Sequence, residues 1–325
     1  MTPRRVGLAV NPTSGRGLGR AAGSRAAEVL RGAGLQVRLL TADSGPELVE
    51  ATRGAVRDGL DALVVAGGDG MVNLGVNITA GTGLPLGVIP AGTGNDIAQA
   101  LGLPVADPAA AARTVVEALA GAGPRAVDAA RCVTAGQDVM WFAGVLGAGF
   151  DALVNERANG WSWPRGPIRY NLAIARELPL FRPRDYVLEL DGQRWETAAM
   201  LVAIANGPSY GGGMRVCPDA RLDDGLLDVL VVKPISRLEF VRVFPRVYAG
   251  THVDHRRVVI HRARRVVVAA EGIVGYADGE RLARLPLDCE AVPAALQVLA
   301  PATGQTEPGN PGPDDGFLRA DGLPG

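Results

Sequence analysis

The sequence predicts an α/β domain built on a parallel sheet, followed by a mostly antiparallel β domain, with boundaries at 1–124 and 125–300 and a disordered tail at 301–325. Three observations carry this expectation. Up to about residue 122, short β-rich apolar runs end in glycine-rich turns, each followed by an amphipathic helical stretch; this is the alternation of a parallel sheet with ligands at its strand ends. From about residue 125 the β-rich segments shorten and follow one another directly, the texture of an antiparallel domain. The last 25 residues hold five Pro and six Gly without periodicity, a composition that does not build a core. A chain of 325 residues, 47% hydrophobic and 21% charged, has the material for two domains of ordinary size.

In the first domain, strands are expected at 6–10, 35–40, 62–65 and 86–89, with helices at 18–31, 46–58, 71–79 and 95–101 and an alanine-rich helix over 108–120. In the second, strands are expected at 126–134, 138–147, 184–191, 194–206, 226–232, 256–260, 264–271, 274–276 and 281–288, interrupted by helical regions near 150–180 and 236–249.

Composition excludes several chemistries. Of 33 basic residues only Lys233 is a lysine, and it sits in Val-Lys-Pro-Ile, so neither a P-loop nor a kinase V-A-I-K lysine is present. Phosphate must then be met by backbone amides, arginines and metal. A net charge of −1 gives no bulk attraction to nucleic acid, and no nucleic-acid partner is expected. Cys132, Cys217 and Cys289 lack C-x-x-C spacing and read as buried reduced thiols of a cytoplasmic protein. The apolar run before Asn11 is too short for a signal sequence, and no run approaches the ~18 residues of a membrane span. His252, His255 and His261 have no carboxylate or thiol cluster at matching spacing and read as surface histidines.

Four strand ends of the first domain finish in suggestive loops. They are Asn11-Pro12-Thr13-Ser14-Gly15-Arg16-Gly17, Thr41-Ala42-Asp43, Gly67-Gly68-Asp69-Gly70-Met71-Val72-Asn73 and Pro90-Ala91-Gly92-Thr93-Gly94-Asn95-Asp96. Any one is an ordinary tight turn in a glycine-rich chain. Four at successive strand ends face one crevice and supply amides, hydroxyls and the carboxylates of Asp69 and Asp96 to a polyanion, with a divalent cation as the bridge. The second domain adds Asp151 after Gly147-Ala148-Gly149-Phe150, which also reads as a helix cap, and a long loop from Asn206 to Asp228 with four Asp within ten positions. It also adds Tyr276-Ala277-Asp278-Gly279-Glu280, where Asp-Gly is equally the commonest hairpin turn.

Together the motifs NPTSG, VVAGGDG, LGVIPAGTGND, GAGFDA, NGPSYGGG, CPDARLDDGLLDV and YADGE resemble the diacylglycerol kinase catalytic family, which includes sphingosine, ceramide and bacterial soluble lipid kinases. The resemblance runs from Val6 to about Leu299. GGDG alone is shared with NAD kinases; GTGND, DDGLLDV and the late DGE make the lipid-kinase assignment specific. The resemblance implies a nucleotide-binding α/β domain, a β-sandwich domain, and ATP between them. It assigns nucleotide contacts to Asn11, Pro12, Thr13, Ser14, Gly15, Thr41, Gly67, Gly68, Asp69, Gly70, Met71, Asn73, Thr93 and Asp96, with Asp69 and Asp96 also in the carboxylate network around a catalytic Mg2+. A structural Mg2+ is implied on the Asp224 side chain and the main-chain oxygens of Arg221 and Leu226, and Asp278 and Glu280 are implied to supply the general base, without deciding between them.

Two departures from the family pattern stand out: Met71 replaces the usual Thr after GGDG, and Leu74 replaces the usual Glu after Asn73. They keep two rivals open, an NAD kinase and a catalytically weak nucleotide or lipid sensor. A kinase with a lipid substrate also visits a bilayer, so the expectation is a cytoplasmic protein peripheral to the membrane. Trp161 to Tyr170 and the arginine-rich stretch from Arg242 to Arg265 have the composition for that contact, and homodimerisation is also open.

Overall fold

The computed structural model describes residues 4–301 apart from 13, 122, 150–153, 155–171, 173–175 and 177–181. Thr13, Asp151, the Trp161 to Tyr170 stretch, most of the expected helical region near 150–180 and the tail beyond Pro301 lie outside the described residues.

The α/β half begins with β1 (Arg5–Val10), α1 (Leu18–Gly32), β2 (Gln36–Leu40), α2 (Gly45–Arg57), β3 (Ala62–Gly67), α3 (Asp69–Thr79), β4 (Pro85–Pro90), α4 (Asp96–Ala100) and α5 (Pro108–Ala120). β2, β1, β3 and β4 pair in that order, all parallel. Both sheet faces are covered over β1, β3 and β4, which is why those strands read as continuous apolar runs, whereas the edge strand β2 is largely exposed. Val6, Leu8 and Val10 point to the side of α1 and α5, whose inner faces are largely alanine, and Ala9, Leu63 and Val65 point to the side of α2, α3 and α4. Helix starts follow local chemistry: Ser44 accepts from the Glu47 amide ahead of Pro46, and Asp107 accepts from the amides of Ala109 and Ala110 ahead of Pro108.

The β-rich half contains β5 (Arg125–Thr134), β6 (Val139–Phe142), β7 (Val145–Gly149), β8 (Arg184–Leu190), β9 (Gln193–Ala199), β10 (Leu201–Ala205), β11 (Leu227–Val232), α6 (Arg237–Val243), α7 (Arg246–Ala249), β12 (Val258–Ala263), β13 (Arg265–Ala270), β14 (Val274–Ala277), β15 (Glu280–Arg284) and β16 (Leu287–Val298). A six-stranded antiparallel sheet in the order β12-β11-β10-β7-β14-β15 packs on the antiparallel part of the other sheet. Tyr186, Leu188, Val266 and Val268 from one side meet Leu146, Val202, Ile204 and Val229 from the other, a β-sandwich core.

Three expected strands divide, each for a physical reason. The 138–147 segment breaks at Ala143–Gly144, whose amides turn to a carboxylate described below. The 194–206 segment breaks at Met200 because β9 belongs to one sheet and β10 to the other. The 281–288 segment is the end of one hairpin and the start of β16, which runs to Val298. β16 pairs antiparallel with β13 and β5 and ends parallel to β4, through Gln297 with Pro85 and Val298 with Leu86. One ten-stranded sheet therefore passes through both halves, and the two cannot slide past each other without breaking its ladder. Cys132 and Cys289 face each other across β5 and β16, fully buried, and all three cysteines are free thiols.

Candidate active site

Where β1, β2 and β3 end, a cleft of about 680 Å³ opens between the α/β half and the hairpin β14–β15. Its wall includes Asn11, Pro12 and Ser14 after β1, Ala42 to Gly45 after β2, and Gly68, Gly70, Met71 and Asn73 after β3. The second half contributes Val139 and Met140 of β6 and Glu280 and Arg281 of β15. Of the candidate nucleotide contacts, Thr41 and Thr93 are exposed and outside the cleft wall, and Gly67, Asp69 and Asp96 are not part of that wall either; their neighbours line it, or support it. Sequence reasoning missed Ser44, Arg53, Asn77, Val139, Met140 and Arg281. Ser44, Asn77 and Arg281 adjoin motifs the sequence singles out, whereas no local pattern marks Arg53, Val139 and Met140.

The 90–96 loop lies behind the cleft as its support. A β-carbon on Gly92 would stand 2.4 Å from the Gly68 Cα, so the two glycine loops touch backbone to backbone and any side chain there forces them apart. Asn95 holds this loop shut in the left-handed region at φ 56°, its Oδ1 accepting from the Gly92 amide at 2.9 Å and its Nδ2 donating to the Gly92 carbonyl at 3.0 Å. Asparagine tolerates that backbone better than most side chains. Gly67, the last residue of β3, leaves room for the Met71 side chain and the Ser14 hydroxyl.

Four carboxylates gather here with different fates. Asp69 opens α3, where the helix N-terminus carries positive partial charge. Its Oδ2 accepts from the Asn95 amide at 3.0 Å, while its Oδ1 is buried without a partner. Burial, then the nearby Asp96 charge, raises the Asp69 pKa above the ordinary carboxylate value. Asp96 is buried and spent on structure: its two oxygens accept from the amides of Gly212 and Gly213, both at 2.7 Å, tying α4 to the 210–214 hairpin.

Asp278 and Glu280 sit on one hairpin and differ completely. Asp278 and Gly279 have φ of 50° and 85°, the two positive values of a tight two-residue turn. The Asp278 carboxylate is buried and accepts from the amides of Ala143, Gly144 and Val145 at 3.0 to 3.1 Å, which is what breaks the strand between β6 and β7. Burial pushes its pKa up to about 7, against the three amides that favour its ionised form and with the Asp69 charge adding to the rise. Glu280 is exposed in the cleft, its Oε1 3.1 Å from where a β-carbon on Gly70 would lie, so its carboxylate reaches the start of α3 from across the gap.

Asn73 lines the same wall, with a buried Nδ2 that has no partner, a donor left for a ligand. Asn77, one turn further along α3, is held to β6 by bonds to the Trp141 carbonyl and from the Trp141 amide, both 2.9 Å. Met71 and Leu74 also line the cleft, so the two departures from the family pattern make this wall more apolar.

Asp69 fits a divalent cation. Its buried unpartnered oxygen, beside a second carboxylate and a polar cleft, is what Mg2+ takes when it binds through one carboxylate and completes its shell with phosphate and water. The second-domain loop fits less well. Asp224 Oδ1 accepts from the Leu226 amide at 3.1 Å and its Oδ2 pairs with the Arg262 guanidinium, which also approaches Asp228 at 3.6 Å. Arg221 pairs with Asp223 at 3.2 Å. The charge a cation would supply at Asp224 is met here by the Arg262 guanidinium, so the Asp224 side chain is not free to take up a Mg2+. Asp128 straps the loop to β16, accepting from the amides of Gly225 at 2.7 Å and Ala294 at 2.8 Å.

A second cavity, about 100 Å³, lies on the outer face of the six-stranded sheet. Leu201, Ala203 and Leu230 form its floor, and Phe240, Phe244 and Val247 of the α6–α7 segment its roof. Tyr210 and Met214, of the hairpin tied to Asp96, close one side. Its lining is almost wholly apolar. His252 is the exception: its Nε2 lies 3.0 Å from the Val216 carbonyl, and burial lowers its pKa, which favours the neutral ring.

Residues 5–132 match the diacylglycerol kinase catalytic domain, and residues 144–300 match the YegS C-terminal NAD kinase beta sandwich-like domain. A diacylglycerol kinase of Mycobacterium tuberculosis (strain CDC 1551 / Oshkosh) is 40% identical over 301 residues, covering 92% of this chain and 96% of that protein. A diacylglycerol kinase of Bacillus subtilis (strain 168) is 30% identical, over 87% of this chain and 92% of its own. The fold is that of a crystal structure of a diacylglycerol kinase from Bacillus anthracis str. Sterne, at a TM-score of 0.68 and 22% identity, over 93% of this chain and 98% of that one.

Proposed function

The chain belongs to the diacylglycerol kinase catalytic family and is a lipid kinase, and from this premise we propose that it transfers the γ-phosphoryl group of ATP to the hydroxyl of a diacylglycerol-type lipid. The observation that carries the reading is Glu280: an exposed carboxylate delivered by the second half of the molecule to the helix start that faces the polar cleft.

In this reading the nucleotide phosphates rest on the loops after β1 and β3 and at the start of α3, where backbone approaches closely and dipole and amides favour anions. The Asn73 Nδ2 donates to the nucleotide, and Arg53 and Arg281 add positive charge to the cleft wall. Asp69 Oδ1 would hold the Mg2+, which when bound would supply charge neutralisation for phosphoryl transfer. The lipid hydroxyl comes up beside Glu280, which accepts its proton as the oxygen attacks the γ-phosphorus in line, the bond to the β–γ bridging oxygen breaks and ADP leaves. Asp278 serves as the clamp that positions this hairpin, because three amides already occupy its oxygens. The apolar cavity takes part of an acyl chain, and the Asp96 bonds to Gly212 and Gly213 join the phosphate side to the lipid side. Met71 and Leu74 remove a hydroxyl and a carboxylate from the phosphate side, so turnover is slower than in relatives that keep both.

Incubation of the protein and Mg2+ with labelled ATP and a mixed lipid extract, with the product identified by mass, tests this. The expected outcome is a phosphorylated diacylglycerol that disappears in Glu280→Gln while nucleotide affinity stays. No labelled lipid from any extract, or a product that Glu280→Gln leaves untouched, refutes the proposal. Labelling of NAD instead marks the NAD kinase alternative.

A further inference from the structure

The α6–α7 segment carries apolar side chains both toward the sheet and toward its exposed surface. Phe240, Phe244 and Val247 point inward as the roof of the apolar cavity. Away from the cavity, Leu238 and Val241, one turn apart on α6, are 62% and 52% exposed, and Tyr248 of α7, its ring edge-on to Phe244 at 6.4 Å, is 51% exposed. These are three of the eight large hydrophobic residues exposed among the described residues, and they fall within eleven positions. A helix apolar on both sides needs a partner for its outer side. Charge indicates which. Between Lys233 and Arg257 the chain carries six basic residues against two acidic ones, in a protein whose net charge is −1. Of those two acids, Glu239 is engaged with His255 at 3.2 Å, and Asp254 lies 3.9 Å from Arg246. Exposed Arg242 stands next to Val241 on this surface.

We propose that the outer face of α6–α7 docks on an anionic bilayer, with Leu238, Val241 and Tyr248 entering the headgroup boundary and Arg242 among the basic residues meeting lipid phosphates. Apolar side chains in the boundary with arginines at headgroup level are the combination that holds a helix in the plane of a membrane. The inference deepens the lipid-kinase reading and rests on it in one respect: the docked surface is the roof of the cavity assigned to the acyl chain, so a lipid reaches that cavity without crossing water. It places a membrane contact on two short helices that overlap the start of the expected Arg242 to Arg265 stretch; the other expected stretch, Trp161 to Tyr170, lies outside the described residues.

The test is co-sedimentation of the full chain with vesicles of phosphatidylcholine alone and of phosphatidylcholine with phosphatidylglycerol. It is repeated for Leu238→Ser/Val241→Ser and for Arg242→Glu, alongside turnover of a short-chain diacylglycerol dissolved below its aggregation limit. The native chain is expected to bind anionic vesicles in a salt-sensitive way. The double variant should lose about tenfold or more in partitioning, and Arg242→Glu about fivefold, as expected from the loss of buried methylenes and of headgroup attraction. Both should keep native melting and native short-chain turnover. Vesicle binding by the folded double variant equal to that of the native chain overturns the docking face. So does a native dimer in sedimentation velocity that the double variant dissolves, because the face then pairs two copies. Absence of turnover by the native chain on every lipid, with vesicle binding still lost in the variants, sinks the kinase reading and leaves the docking face standing.

Discussion

The polar cleft and the apolar cavity are built from different materials. The cleft takes its shape at the strand ends from main chain, in glycine loops, helix starts and Gly68 backed by Gly92 with no room for a β-carbon, and polar and apolar side chains such as Arg53, Met71 and Glu280 complete its wall. The cavity is made of side chains carried by strands of the second sheet, a hairpin loop and two short helices. A backbone-built site depends on conformations that few residues reach, so it leaves dense, ordered motifs. A site lined by side chains needs only apolar groups of suitable volume, which many sequences supply. The two should therefore fail differently under mutation.

The largest contrast is expected at Glu280. Glu280→Gln keeps the shape of the cleft and removes the proton acceptor, so kcat should fall by about 10² to 10⁴ with nucleotide affinity unchanged, measured by single-turnover transfer and by nucleotide titration. The companion carboxylate responds in stability instead. Asp278 has a folded pKa of about 7 against an ordinary value of 3.8. Below 3.8 it is protonated in both states; between the two values the folded chain holds a proton that the unfolded chain has released. Its contribution is therefore fully present in acid and is lost as pH rises through 7, about 4 kcal/mol in all and at most ~1.4 kcal/mol per pH unit. Denaturant midpoints between pH 4 and 7.5 should carry this slope in the native chain and lose it in Asp278→Asn.

Next in size is Gly92→Ala, which drives a methyl group into Gly68. It should cost about 1–3 kcal/mol and weaken nucleotide binding about tenfold or more, with the KM for lipid little changed. Ala203→Leu is the reverse experiment. Filling the cavity floor should raise the KM for long-chain diacylglycerol by about tenfold and leave nucleotide affinity and short-chain turnover in place. A loss of nucleotide affinity in Ala203→Leu would show that the two regions are one site. The smallest effect is expected at the joint between them. Asp96→Asn replaces one of two charge-assisted acceptors, should cost about 1–2 kcal/mol, and should alter nucleotide and lipid parameters together in steady-state kinetics.

Much of the fold was legible in the chain. Every strand and helix expected before residue 122 is present, with ends shifted by one or two residues, because period and turn chemistry are local. The loops carrying Gly68, Asp69, Gly92 and Asp278 were legible for the same reason. What local pattern could not convey was pairing. The 281–288 segment gave no sign that its end begins a strand returning to β4, and nothing near Val139 or Met140 marks them as cleft residues.

The sequence by itself determined the α/β half followed by a β half, the glycine loops, the absence of a P-loop lysine and the choice of carboxylates, since each is written in short spacings or composition. Only the tertiary structure decided between the carboxylates. Asp278 and Glu280 are two residues apart on one turn, and strand alternation with positive φ sends one inward to three amides and the other outward to the start of α3. Three-dimensional packing likewise gave Asp96 to Gly212 and Gly213, Asp224 to Arg262, and the α6–α7 segment a second apolar face. Burial and hydrogen-bond partners separated by more than a hundred residues are properties of the folded chain, and no window along the sequence contains them.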